Sequence, residues 1–358
     1  MDREEMNAAL CARIGAAYQP PLDGAGEGEG AWDDRVRRFE VLGDAARGAR
    51  RLDYLHVRRS GNFGNNYIQL VHALAVAEAR GVKRVLHRFS QFGAHRPAAG
   101  PRLVSRRSMA PDKLGLSGAF FVRKGGETLR DLPADRFLRI SDSYLRPALQ
   151  LDMPTADQGV VALNLRGGAD VFENRNPNPH YGQPPLSFYQ AALARIAKTH
   201  DVTAVNIVHQ DLRNPVLEPL TDWLQGSGMD WRLTTGDMLG DAGALLAAEH
   251  IVMGWTTFTA ALALLSRNMR TVTIFRRAPL RAELAAAAQH FYVVEDQAGG
   301  FIPADGWRNT PDQRRLLTEY PADALTISDK ATKRRKLAER LDGYRIRRRA
   351  RFNRLLRR

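Results

Sequence analysis

The chain has one cysteine, Cys11, in 358 residues. A single thiol excludes an intramolecular disulfide and supplies no cysteine metal cluster. No apolar run reaches the roughly 18 residues that a membrane-spanning helix needs. The opening Met1-Asp2-Arg3-Glu4-Glu5-Met6 is too acidic and too interrupted for a secretory signal, and no internal repeat is visible. Together these absences lead to the expectation of a cytoplasmic protein. What is present is globular in character, with 44% apolar and 26% charged residues. The length leaves room for two domains with sizeable cores.

Acidic residues are also few, and the formal net charge is +14. That excess is localised. From Lys330 to Arg358 there are 14 Lys/Arg against two acids, Glu339 and Asp342, so the rest of the chain is nearly neutral. Phe352, Leu355 and Leu356 are interspersed among the arginines. Such a tail suits an anionic membrane surface, with the apolar side chains dipping into the interface. It equally suits nonspecific nucleic-acid binding or a solvated helix and frayed end. Nothing in it specifies a particular nucleic acid.

Residues 1–50 contain Gln19-Pro20-Pro21 and a glycine-rich run over 24–30, which reads as a flexible N-terminal extension. A βαβ unit begins near 51: a strand over 52–57, a turn-rich loop over 60–66, then an apolar stripe at Tyr67, Leu70, Val71, Leu74 and Ala75. Gly81 ends that helix and a strand follows over 84–87. Residues 90–157 are basic, punctuated by proline and glycine, and weakly periodic. From 158 the alternation is regular, with strands expected over 160–165, 202–208, 230–234, 250–254 and 271–275. Helices are expected over 186–198, 215–225, 238–248 and 256–266. This alternation predicts an α/β fold with parallel, doubly wound sheets. A division near 150–158 predicts two Rossmann-like domains facing a cleft.

Three expected strand ends carry polar or glycine-rich residues, where ligands of open α/β sheets bind. The first runs Asn164-Leu165-Arg166-Gly167-Gly168. Glycine lets a phosphate approach the main chain, and arginine offers a planar fork to its oxygens. An ordinary surface loop would contain the same residues. The second is His209-Gln210-Asp211, where Asp211 suits a ribose or base, or equally an Asx turn before Asn214-Pro215. The third is Gly254-Trp255-Thr256-Thr257, where a threonine serves as a helix N-cap or as an anion donor. Between Asp170 and Tyr189, prolines at 177, 179, 184 and 185 space out Asp170, Glu173, His180 and Tyr181. This stretch reads as a stiff presentation loop or as a plain connector.

The run Ser60-Gly61-Asn62-Phe63-Gly64-Asn65-Asn66-Tyr67-Ile68-Gln69 resembles the Gly-x-x-Gly-Asn-(Gln/Asn)-x-x-Gln opening of the α-1,2-fucosyltransferase-like glycosyltransferases of the bacterial polysaccharide-biosynthesis type. Residues 161–170 resemble their His-x-Arg-x-Gly-Asp segment, 208–211 their Ser-Asp-Asp strand end, and 249–259 their late Asn-Ser-Ser-Phe-Ser block. The resemblance covers roughly 52–275. It implies a GT-B-like fold with acceptor-side residues 51–157, a donor domain over 158–300, and a C-terminal segment 301–358 that carries the basic tail. It further implies inverting transfer of a sugar, fucose first, from a GDP-sugar to a glycan or glycolipid acceptor. That is the chemistry of cell-surface polysaccharide synthesis, at the inner face of the membrane.

Under this resemblance Asn164, Arg166, Gly167, Gly168, Asp211, Thr256 and Thr257 are the donor-binding candidates. Gly61, Gly64, Asn65 and Gln69 form the cleft loop. Asp170, Glu173 and His180 compete as the base for the acceptor hydroxyl, with Asp170 in the acidic position of the motif. No Asp-x-Asp occurs, so neither metal nor cofactor is expected beyond the GDP-sugar itself. Two departures stand out: Asn164 replaces the histidine of the motif, and Ala169 intervenes before Asp170. Asparagine can hydrogen-bond but cannot carry a proton. This leaves a non-catalytic nucleotide-sugar or glycan binder as the alternative.

Overall fold

In the computed structural model, the described residues are 5, 39–42, 52–59, 61–105, 113–120, 132–234, 237–276, 278–301 and 306–330. Cys11, most of the N-terminal extension and the basic tail beyond Lys330 lie outside them. The chain divides into two compact units, Met1–Asp152 with Ala260–Leu265, and Met153–Thr259 with Ser266–Arg358. Both are built on largely parallel sheets, as the strand–helix alternation predicts.

In the first unit, β1 (Glu40–Leu42), β2 (Tyr54–Val57), β3 (Arg84–His87), β4 (Arg102–Ser105) and β5 (Gly115–Gly118) form one sheet in the order β1-β5-β2-β3-β4. Only β1 runs antiparallel. After β2 comes α1 (Phe63–Arg80), whose predicted stripe is buried throughout. Gly81 closes α1 in the left-handed region at φ 64°, its N–H donating to Ala77 and Glu78 carbonyls. The weakly periodic middle contains β4, β5 and α2 (Ala134–Ile140). A π-helical turn, Ser141–Leu145, continues α2 into Arg146–Ala148.

The second unit has seven strands: β6 (Asp157–Leu165), β7 (Ala204–His209), β8 (Trp231–Thr234), β9 (Ala248–Met253), β10 (Thr271–Phe275), β11 (His290–Asp296) and β12 (Leu325–Asp329). Their order is β12-β11-β10-β9-β6-β7-β8, with only β12 antiparallel. The chain thus moves outward from β6 through β7 and β8, then returns to its other side for β9, β10 and β11. That reversal makes the β6–β9 edge a topological switch point. β10 and most of β6, β7 and β9 are buried, which explains their near-continuous Val/Ile runs.

The helices that follow are α3 (Ala169–Phe172), α4 (Leu186–Thr199), α5 (Leu217–Ser227), α6 (Met238–Ala247), α7 (Thr257–Leu265), α8 (Arg281–Ala287) and α9 (Pro311–Glu319), all of this unit except α7, whose residues from Ala260 on are counted with the first. α4 buries Phe188, Tyr189, Ala192, Leu193 and Ile196 in a core shared with Val161, Leu163, Leu165, Val205 and Ile207. Asp237 caps α6 by accepting the N–H groups of Leu239 and Gly240. Thr310 caps α9 through the N–H of Gln313, with Pro311 at its first position. Each such cap contributes about 1 kcal/mol.

Candidate functional site

β6 is the strand at which the order of the second sheet reverses, and its carboxyl end carries a cluster of polar side chains. Gly168 has φ 110°, a conformation that strains any side-chain-bearing residue. A Cβ there would also meet Asp170 Oδ1 at 2.4 Å. At Gly167 a Cβ would lie 2.2 Å from Asp211 Oδ1 and 3.0 Å from the Asp211 backbone nitrogen. The two glycines therefore let the end of β6 close onto the loop that follows β7.

Asp211 is the tie between them. Burial opposes its charge, but N–H groups of Arg213 and Gly168 and the Arg213 guanidinium donate to it. Together they hold the carboxyl below its usual range. Arg213 Nη1 lies 2.8 Å from Asp211 Oδ2, and its Nε lies 2.6 Å from Glu173 Oε1. Arg166 is fixed in a similar way. Its Nη2 lies 2.6 Å from Asp170 Oδ2, and its guanidinium carbon stands 4.2 Å from the Tyr181 ring centroid. The Arg166 carbonyl accepts from Asn214 Nδ2 at 3.0 Å. A planar cation is thereby oriented on one side by a carboxylate and on its face by a phenol.

Across the switch point, a Cβ on Gly254 would fall 3.0 Å from the Asn164 carbonyl, 3.4 Å from Gln183 Oε1 and 3.5 Å from Asn164 Oδ1. Asn164 donates through Nδ2 to Val208 O at 3.3 Å, while its Oδ1 has no donor among the described residues. Gln183 is wholly buried, donates to the Tyr181 and Gly182 carbonyls, and likewise leaves Oε1 unpartnered. His209 Nε2 and Trp255 Nε1 are further buried polar atoms in the same condition. Such unmet capacity is costly unless water or a ligand meets it.

The structure therefore brings Asn164, Arg166, Gly167, Gly168, Asp170 and Asp211 together, with Glu173 joined through Arg213. His180 lies exposed on the short 3-10 turn Pro179–Tyr181, beside the Tyr181 that covers Arg166. Thr256 Oγ1 accepts the N–H of Phe258 just ahead of α7, which begins at Thr257. Gly61, Gly64, Asn65 and Gln69 belong to the other unit, after its own reversal strand β2. Gly61 has φ 73°, and a Cβ there would overlap Asn65 Nδ2. Gln69 is buried and accepts the N–H of Phe120, a packing bond between α1 and the end of β5. Gln69 is thus engaged inside its own unit.

Sequence reasoning missed what holds the loop in place. Trp307 Nε1 donates to Val171 O at 3.0 Å, and its backbone N–H to Pro179 O at 2.9 Å. Asn309 Nδ2 reaches Phe172 O at 3.0 Å, and the Arg314 guanidinium donates to the same carbonyl. At Gly306, φ 88°, a Cβ would stand 2.7 Å from Pro179 O. Residues 306–314 thus clasp both α3 and the proline-rich loop. Trp307 and Gly306 are the signals available in the sequence, but nothing local links them to residues 130 positions earlier. Among the described residues, no three His, Cys, Asp or Glu side chains are placed to hold a metal ion.

No protein-family model matches the sequence, and no curated protein is similar to it by sequence. Three solved structures show some similarity in fold. One is POFUT1 in complex with GDP, at 11% identity and TM-score 0.38, covering 62% of this chain and 97% of that one. The others are POFUT1 in complex with GDP-fucose in two crystal forms, each at 10% identity and covering 62% of this chain. They cover 96% and 97% of those chains, with TM-scores of 0.36 and 0.39.

Proposed function

We propose that the chain is a glycosyltransferase that moves a sugar, fucose first, from a GDP-sugar to a glycan acceptor with inversion and without a metal. The observation that carries this reading is Arg166, held by Asp170 and the Tyr181 ring just ahead of Gly167–Gly168 at the carboxyl end of the strand where the sheet reverses. A diphosphate entering there competes with Asp170 for the guanidinium fork, and charge developing on the leaving group is stabilised in place. In inverting transfer the acceptor oxygen bonds to the anomeric carbon as the bond to the diphosphate oxygen breaks. A base takes the hydroxyl proton, and the nucleoside diphosphate leaves. Asp170 is the first candidate for that base, because losing Arg166 to the diphosphate frees its carboxylate. Glu173 and His180 are the other two.

The test is calorimetric binding of GDP, UDP and their sugar conjugates. Selective GDP binding, weakened at least tenfold in Arg166→Ala, is expected from losing a charge-assisted pair of about 1.5–3 kcal/mol. UDP preference moves the sugar, and no binding removes the enzyme reading. The second reading, a non-catalytic binder, draws on the ion pairs that occupy both Asp170 and Glu173 and on asparagine at 164. GDP binding without turnover on any glycan acceptor would favour it.

The basic tail is assigned to an anionic membrane surface, where a capsule or lipopolysaccharide acceptor would be found. No helix of the described residues is long and apolar enough to cross a membrane. Removing 331–358 is expected to abolish binding to phosphatidylglycerol vesicles while GDP binding persists. Undiminished vesicle binding would remove the tail from this role.

A further inference from the structure

The first unit has a cavity of about 680 Å³, lined by Glu78 from the end of α1, His95, Arg96 and the segment Pro97–Gly100, and Arg139, Ser143 and Tyr144. Its volume is within the range that encloses small ligands. The walls are held in place. His95 and Leu103 exchange backbone hydrogen bonds at 2.9 Å in both directions. Gly100, at φ 95°, lets the loop lie against Tyr144, where a Cβ would meet the hydroxyl at 2.1 Å. Ser143 and Tyr144 come from the π-helical turn Ser141–Leu145, an irregularity that is rare and concentrated at functional sites.

The hydrogen-bonding capacity of this cavity is weighted toward donors. Among the described residues Glu78 is its only lining carboxylate, and both of its oxygens are taken. Arg139 Nη1 reaches Oε1 at 3.0 Å and Nη2 reaches Oε2 at 2.5 Å. Tyr144 donates to Oε1 at 2.9 Å, and Arg136 stands 3.9 Å from Oε2. What remains uncommitted is mainly donor capacity, with the Ser143 hydroxyl able to donate and accept. Half of the Arg139 side chain is exposed, the Ser143 hydroxyl side chain is exposed, and Arg96 is exposed with no ion pair among the described residues. Pro97, Ala98 and Ala99 add a small apolar wall between the cationic groups. A cation would find no free carboxylate here, whereas an oxyanion would find the Arg96 fork and the N–H groups of Arg139 that Glu78 does not take.

We propose that this cavity is a second ligand site, for an acidic sugar: a saccharide unit bearing a carboxylate or phosphate group. The oxyanion is held by Arg96 and Arg139, and the C–H face of the ring lies on Pro97–Ala99. Glu78 is a positioning residue that holds Arg139 extended toward the opening. The site lies at the end of α1 remote from Gly61–Asn65, and it does not rest on the transferase reading.

The test is a titration of the full-length protein with glucuronate, glucose 6-phosphate, glucose and inorganic phosphate, followed by calorimetry and by chemical shifts of unit-1 amides. At least one acidic sugar is expected to bind more tightly than both glucose and phosphate. Arg96→Ala, an exposed position that leaves the fold intact, should weaken it at least tenfold, and Arg166→Ala should leave it unchanged. The better of the two acidic sugars identifies the oxyanion. Inorganic phosphate binding as tightly as either sugar overturns the saccharide part. Binding insensitive to Arg96→Ala, binding lost equally in Arg166→Ala, or no binding overturns the site. GDP affinity, unaltered in Arg96→Ala, separates this outcome from the fate of the donor reading.

Discussion

The chemistry at the end of β6 depends on side chains that are absent. Gly167 has an ordinary backbone, so a substitution there is limited by space alone, and the space is filled by Asp211 Oδ1 at 2.2 Å. Gly167→Ala must displace a carboxylate that is also anchored by the Gly168 N–H. The expected cost is about 1–3 kcal/mol, the usual range for overpacking, read as a lowered midpoint in urea. Because that displacement also shifts Gly168 and Arg166, GDP binding should fall in the folded variant. An Asp211→Ala change in the Gly167→Ala background should restore part of the lost stability, since it removes the clashing group. Absence of any destabilisation in Gly167→Ala would mean the two strand ends do not close as described. Much of this was legible in the sequence: Arg-Gly-Gly after an apolar run, and Asp after the next one. What could not be read there is that Asp211 fills the space over Gly167. Nor does local sequence show that Glu173 is held by an arginine, because Glu173 meets Arg213 40 positions on.

At the level of elements, the buried βα alternation from β6 to β10 was readable to within a few residues, while β11, β12, α8 and α9 beyond it were not read. The strand expected over 271–275 is β10, and the helix expected over 186–198 is α4, one residue longer. Val/Ile runs and a 3.6-residue stripe are strong local signals when both faces of a sheet are covered. The segment 90–157 failed for a physical reason. β4 is four residues with one fully buried side chain, β5 reads Gly-Leu-Ser-Gly, and α2 changes to π-helical winding within two turns. β5 is stabilised by its neighbours: Gly115 makes room for the Tyr54 ring and Gly118 for that of Phe39. Strands chosen for what packs over them show no propensity of their own. The clasp from 306–314 was hidden for a related reason. Its hydrogen bonds go to carbonyls of Val171, Phe172 and Pro179, and a carbonyl acceptor leaves no mark on the identity of the residue that carries it.

Over the whole molecule, the two units should respond differently to acid. In the first, burial pushes His72 and His87 down to about 4. His72 Nδ1–H donates to the Phe120 carbonyl, which offsets part of that effect. In the second, burial brings His250 to about 4, reinforced by the nearby His200, with Glu249 and Arg270 acting in opposite directions. The His200 ring contacts both His250 and His290, with centroids 4.6 and 5.0 Å away. The unfolded chain protonates such imidazoles near 6.5, so between about 6.5 and 4 it binds protons that the folded state refuses. Stability is complete above that window and lost as the pH falls through it. For His72, almost fully buried, the loss is about 3 kcal/mol. Asp241 opposes this trend in the second unit. Burial, then the charge of Asp237, raises it to about 6, so protonation below pH 6 relieves a penalty there. The first unit has no comparable compensation among its described residues. Hydrogen exchange at pH 7 and pH 5 should therefore show unit 1 losing protection first. His72→Gln, which keeps a donor for Phe120 O and cannot be protonated, should make the pH dependence of unit 1 shallower, leaving the share of His87, without changing that of unit 2. An unaltered acid limb in that variant would assign the sensitivity to other groups.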